Sequence, residues 1–154
     1  MSGEGICMNY REAECAVNWL RSIEFVLRWE GGYANDVRDP GGETMYGLSR
    51  RSYPDLDFSA LTVDQAKMIY FRDYWKAAGC HELPWPVCLA HFDAAVNCGV
   101  GCAGNLLRQT RDATRYMGLR LILYSGFNGW ERYGRAWARR MGDLLIEISA
   151  LSES

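Results

Sequence analysis

Trp29-Glu30-Gly31-Gly32-Tyr33-Ala34-Asn35-Asp36-Val37-Arg38-Asp39-Pro40-Gly41-Gly42-Glu43-Thr44-Met45-Tyr46-Gly47 marks an abrupt change in the character of this chain. Upstream, from about Tyr10 to Glu30, the apolar residues Ala13, Ala16, Val17, Leu20, Ile23 and Leu27 recur at helical spacing. The Gly31-Gly32 pair is a strong C-terminal stop for that helix. Downstream, Asp36, Asp39, Glu43 and Thr44 sit among Asn-Asp and Asp-Pro-Gly-Gly turn signals. The alternating Thr44-Met45-Tyr46-Gly47-Leu48 predicts a short strand, hence a small β-hairpin or irregular flap directly after the first long helix.

Glu30 stands about two helical turns beyond Ile23, on the stripe that also holds Leu27. A carboxylate extending an apolar face is partly desolvated, which raises its pKa and keeps part of it protonated near neutrality. Two carboxylates in unlike surroundings are what acid–base cleavage of an acetal requires. One donates a proton to the leaving oxygen, while the other stays ionised to position water or stabilise positive charge. Glu30 suits the first role. Asp39, in the glycine-rich loop, suits the second, with Glu43 and Asp36 competing for it, and the Thr44 hydroxyl can hold a water. Calcium binding is the ordinary alternative for carboxylates in such a loop, but the regular alternation of an EF-hand is missing.

Outward from this stretch the chain reads as helical scaffold. Thr62-Val63-Asp64-Gln65 is a capping box opening a helix through about Ala78, whose Tyr70, Phe71, Tyr74 and Trp75 are mostly core. Leu83-Pro84-Trp85-Pro86 leads into a helix from Val87 to about Cys98, stopped by Gly99 and Gly101. Further helices are predicted over about Ala103–Ala113, Tyr116–Tyr124 and Arg132–Ser149. A chain of 154 residues with 49% apolar and 23% charged side chains is expected to be one globular domain with its own core.

The net charge of −2 speaks against a dedicated nucleic-acid binder. Residues 1–104 carry 9 basic and 14 acidic side chains, and residues 105–154 carry 8 and 5, the basic ones there all arginine. Those arginines are expected to form a solvated helix face, with contact to an anionic polymer as the alternative. The six cysteines contain no CxxC. Cys88 with His91, and Cys98 with Cys102, have a spacing that would suit zinc, but free, mostly buried thiols are expected, with no metal and no cofactor. Neither a secretory leader nor a membrane span is read in the sequence, so synthesis in the cytoplasm is expected.

Glu30-Gly31-Gly32-Tyr33, Asn35-Asp36, Asp39-Pro40-Gly41-Gly42-Glu43-Thr44 and Gly47 closely resemble the family 108 glycoside hydrolases, which are phage- and bacteria-borne N-acetylmuramidases. The similarity continues through Thr62–Tyr74 and Phe92-Asp93-Ala94-Ala95-Val96-Asn97-Cys98-Gly99. Arg120-Leu121-Ile122-Leu123-Tyr124 and Trp137-Ala138-Arg139-Arg140 look like the family's predicted peptidoglycan-binding segment. Two departures stand out: Val37 where relatives commonly have Pro, and no Asp-Gly-x-x-Gly turn after Gln109.

The resemblance implies a mainly α, lysozyme-like single domain, with residues 1–109 as the catalytic part and 110–154 as a C-terminal helical part packed with it. It implies hydrolysis of the β-1,4 bond between N-acetylmuramic acid and N-acetylglucosamine in peptidoglycan glycan strands. By the Glu–Asp–Thr order of phage lysozymes, Glu30 is then the acid, Asp39 supports the water and Thr44 orients it, with Glu43 as a possible second carboxylate. Asp93 and Asn97, one helical turn apart, match the family's cleft-facing helix and are expected to hydrogen-bond a sugar N-acetyl group. An equal alternative has Asn97 capping the helix before Gly99. Tyr33 and Tyr46 are expected to line the groove. A carboxyl separation of ~5 Å would imply retention of configuration, and ~6.5–9.5 Å inversion. The rival readings are a lytic transglycosylase, which needs only the Glu, and a non-catalytic peptidoglycan-binding or secretion accessory protein. Action on the cell wall after release through a holin, or after export by a dedicated system, completes the expectation.

Overall fold

A computed structural model of the protein describes residues 10–32, 34–35 and 42–150. The expectations placed on Tyr33, Asp36 and Asp39 lie outside the described residues. The fold is mainly α: helix α1 (Tyr10–Glu30), strands β1 (Ala34–Asn35), β2 (Glu43–Met45) and β3 (Leu48–Ser49), then α2 (Val63–Tyr70), α3 (Val87–Cys98), α4 (Val100–Leu107), α5 (Ala113–Ser125) and α6 (Trp130–Ser149). It is a lysozyme-like arrangement in which a small sheet follows the first long helix.

α3 is the hub. Every residue from Val87 to Ala95 is buried, because α1, α4, α5 and α6 all pack on it. A helix that is apolar nearly all round belongs in the middle of a bundle. The two polar residues of that buried run, His91 and Asp93, therefore need partners, and both have them. His91 lies 2.9 Å from the Ala78 carbonyl through Nε2 and 3.0 Å from the Tyr116 hydroxyl through Nδ1. A carbonyl only accepts, so Nε2 carries the proton and neither ring nitrogen is left for a metal. Burial lowers the His91 pKa, which favours the neutral ring.

α1 spans the predicted residues, but its buried face is rotated from the predicted one. Val17 and Leu20 are 53% and 54% exposed, while Asn18, Ser22, Ile23, Phe25 and Val26 are buried. The small polar residues Asn18 and Ser22 share the covered face, and Trp19 adds aromatic contacts, its ring 5.5 Å from Trp75 and 5.6 Å from Phe92. Hydrophobicity alone cannot show that face.

The capping box opens α2 as expected: Thr62 Oγ1 accepts from Gln65 N at 3.2 Å and Gln65 Oε1 accepts from Thr62 N at 2.9 Å. The helix then widens into a π-helical stretch, Phe71–Lys76, which places Trp75 in the core. The predicted helix over Ala103–Ala113 is corrected to Val100–Leu107. Gly99, with φ +92°, ends α3 and allows the next helix to begin at once. Asp112 caps α5, accepting from Arg115 N at 2.7 Å, so residues 108–112 are connector.

The free-thiol expectation is also corrected. Cys98 and Cys102 form a disulfide across the α3–α4 junction, which removes them as zinc ligands; Cys15, Cys80 and Cys88 are free. Among the described residues, no helix is long and apolar enough to cross a membrane.

The sheet is antiparallel in the order β1-β2-β3, with Ala34 opposite Thr44 and Met45 opposite Leu48. Tyr46 and Gly47 form the two-residue turn between β2 and β3, with φ +51° and +79°. Positive φ at both turn positions is the geometry of a type I′ hairpin, which suits the right-handed twist of its strands. Leu48 anchors the hairpin in the core at 2% exposure. A Cβ on Gly47 would stand 2.5 Å from the Tyr70 hydroxyl and 2.6 Å from Glu30 Cβ. Gly47→Ala should therefore destabilise the protein by about 1–3 kcal/mol, through overpacking and an unfavourable φ. Thermal unfolding against wild type measures this.

Candidate active site

Glu30 is the last residue of α1, where the negative end of the helix dipole already disfavours a carboxylate. The hairpin turn closes over it from one side through Gly47. Tyr70, from α2, ties that turn down by donating to the Tyr46 carbonyl at 2.8 Å. From the other side comes α6, positioned by Trp29 Nε1 donating to Asp143 Oδ2 at 2.7 Å. The Glu30 side chain is left 18% exposed, enough to meet solvent at one edge.

Behind Glu30 lies a chain of buried charges. Arg140 Nη1, from α6, donates to Glu30 Oε1 at 2.6 Å. Arg140 Nε donates to Asp93 Oδ1 at 2.9 Å, and Nη2 lies 2.8 Å from the same oxygen. Arg120 Nη1, from α5, donates to Asp93 Oδ2 at 2.7 Å, while its Nη2 donates to Asn97 Oδ1 at 3.3 Å. Arg120 and Asp93 are wholly buried and Arg140 nearly so.

The electrostatics follow from this wiring. Burial lifts the Glu30 carboxyl above the usual carboxylate range; Arg140 pulls it back by charge and hydrogen bond, and Asp93 adds to the rise. For Asp93 burial also acts upward, but the two guanidinium groups outweigh it and hold the carboxyl below its ordinary value. Asp93 is thus a fixed anion, whereas Glu30 is poised to hold and release a proton.

The site residues expected from sequence divide accordingly. Glu30, Asp93 and Asn97 are brought together, but Asp93 has no exposed surface and both its oxygens are bonded to arginine. The expectation that it touches a sugar is corrected: it is an internal brace. Asn97 does not cap α3, since Gly99 holds the C-cap and donates its N–H to the Ala95 carbonyl. Instead Asn97 is half-buried and accepts from Arg120.

Tyr46 is half-buried in the turn beside Glu30. Thr44 lies on β2, and among the described residues its hydroxyl makes a long 3.4 Å contact to the Ala34 carbonyl. Glu43, the adjacent residue, points to the opposite face of the strand and accepts from Arg50 Nε at 2.8 Å. Two apolar grooves elsewhere, one beside Trp85 and Leu145 and one beside Trp19 and Met68, include no side chain of this network.

Arg120 and Arg140 were expected on a solvated helix face and are instead buried, which corrects that reading. A signal existed. Arg120 falls midway between Tyr116 and Tyr124 on the buried stripe of α5, and Arg140 lies one turn before Leu144 on that of α6.

The sequence profile described as glycosyl hydrolase 108 matches residues 23–99, half of the chain. The chain belongs to the glycosyl hydrolase 108 family. Its fold is similar to the structure of Brucella abortus SagA, with a TM-score of 0.79 and 22% identity over 90% of this chain and 98% of that one. No curated protein matches. The family segment holds Glu30, Asp93 and Asn97; both buried arginines come from beyond it.

Proposed function

We propose that this protein is an N-acetylmuramidase, hydrolysing the β-1,4 bond between N-acetylmuramic acid and N-acetylglucosamine in peptidoglycan, with Glu30 as general acid. The observation that carries the reading is the Glu30 carboxyl, held above its usual range by burial yet open at one edge beside the hairpin. Such a group is protonated where an ordinary glutamate is not, and can donate to the glycosidic oxygen as the bond breaks. Asp39 takes the second carboxylate's role and Thr44 orients the water. The pairing of Glu43 with Arg50, on the strand face opposite Thr44, supports Asp39 over Glu43. Asn97 and Tyr46 border the glycan. The enzyme acts on the cell wall, reached through a holin or a dedicated export system.

Incubation with purified peptidoglycan, followed by mass spectrometry of the soluble fragments, tests the reading. Reducing muramic acid ends are expected. Anhydromuramyl ends would instead identify a transglycosylase, and binding to sacculi without fragment release a non-catalytic protein.

A further inference from the structure

We propose that Arg140 is a positioning residue that sets the acidity of Glu30, with Asp93 and Arg120 as the buried brace that sets how strongly Arg140 acts. The inference rests on the acid role proposed for Glu30. Its basis is geometric. A single guanidinium from α6 bridges the two carboxylates, 2.6 Å from Glu30 and 2.8–2.9 Å from Asp93. Arg120 grips the far oxygen of Asp93 at 2.7 Å, so the fork of Arg140 has one orientation available to it.

Among the described residues, the charged and titratable groups around Glu30 are Arg140 on α6, Asp93 on α3 and Arg120 on α5 behind it, with the phenol of Tyr70 on α2. With Glu30 ionised, the two arginines and two carboxylates balance. With Glu30 protonated, the buried group carries one excess positive charge. Arg140 therefore favours departure of the proton, while burial favours its retention. During bond cleavage the proton passes from the Glu30 oxygen to the leaving glycosidic oxygen, and the carboxylate left behind meets Arg140 already in place. No side chain has to move at that moment.

The test is a carboxyl-carbon NMR titration of Glu30 alongside the pH profile of kcat/KM on soluble peptidoglycan fragments. Wild type is compared with Arg140→Gln, Arg140→Lys and Asp93→Asn, each checked for folding by circular dichroism. Removing the cation should raise the Glu30 midpoint by about one unit, moving the alkaline limb of activity upward with it. Asp93→Asn removes an anion and leaves Arg140 unneutralised, so both should move down. Arg140→Lys should keep the midpoint within about half a unit, since charge is conserved, yet lower kcat about tenfold at unchanged KM because one ammonium cannot span both carboxylates.

Midpoints that stay fixed, or that shift in one direction in both neutralising variants, overturn the proposal. If Arg140→Gln does not fold, Arg140→Lys decides: wild-type kcat overturns it and the tenfold loss supports it. Absence of turnover in wild type sinks the muramidase reading instead, and the NMR midpoints still decide the coupling.

Discussion

Glu30→Gln should reduce hydrolysis of peptidoglycan about 10²–10⁴-fold, the range that a positioned general acid contributes. The loss corresponds to about 3–5 kcal/mol of transition-state stabilisation. It should fall on kcat with KM little changed, because a proton donor acts in the transition state and the amide is nearly isosteric. The amide oxygen can still accept from Arg140, so the variant should fold.

The pH profile supplies the second readout. As the proposed general acid, Glu30 must be protonated to act, so activity should be lost as pH rises through its folded pKa. Burial places that pKa above the ordinary glutamate value, and the alkaline limb of wild type should lie correspondingly high. The residual activity of the variant should lack that limb. Turnover within tenfold of wild type in Glu30→Gln would falsify the assignment of the acid.

Asp93→Ala should be the most damaging substitution for stability. It leaves two buried guanidinium groups facing a hole. Removing one partner of a buried ion pair costs about 3–5 kcal/mol, which for a chain of this size lowers Tm by about 10 °C. Asp93 also gives stability a pH dependence. Its folded pKa is depressed, so its contribution is complete above the unfolded value of about 3.9 and is lost as pH falls towards the folded one. Acid titration of wild type should show this loss, and Asp93→Ala should unfold with a shallower dependence. A melting temperature within two or three degrees of wild type at neutral pH would show that the network is not a brace.

Much of the architecture is legible in the chain because its signals are local. The Gly31-Gly32 stop, the Thr62–Gln65 capping box and the Val87 start are each read within one helical turn, and all stand where expected. The strand expected over Thr44–Leu48 is instead broken by a turn at Tyr46-Gly47, which lacks the Asn-Gly signature that usually announces positive φ at both positions. The buried face of α1 is not legible because burial depends on what packs above it: Asn18 and Ser22 are covered, whereas Val17 and Leu20 stay more than half exposed.

For the site, sequence by itself determined that a glutamate ends the first helix before a glycine-rich, carboxylate-bearing loop, and its motifs identified the family. Only the tertiary structure decided what surrounds that glutamate. Arg120 and Arg140 follow it by roughly a hundred residues, and although each falls on the buried stripe of its helix, nothing in the sequence pairs either with Glu30. Asp93 looks like a sugar ligand. Each becomes part of the surroundings of Glu30 because α5 and α6 fold back onto α3, bringing the charges within hydrogen-bonding distance of one another. Charge interactions at that range depend on separation in space and on exclusion of water. Neither is encoded by spacing along the chain.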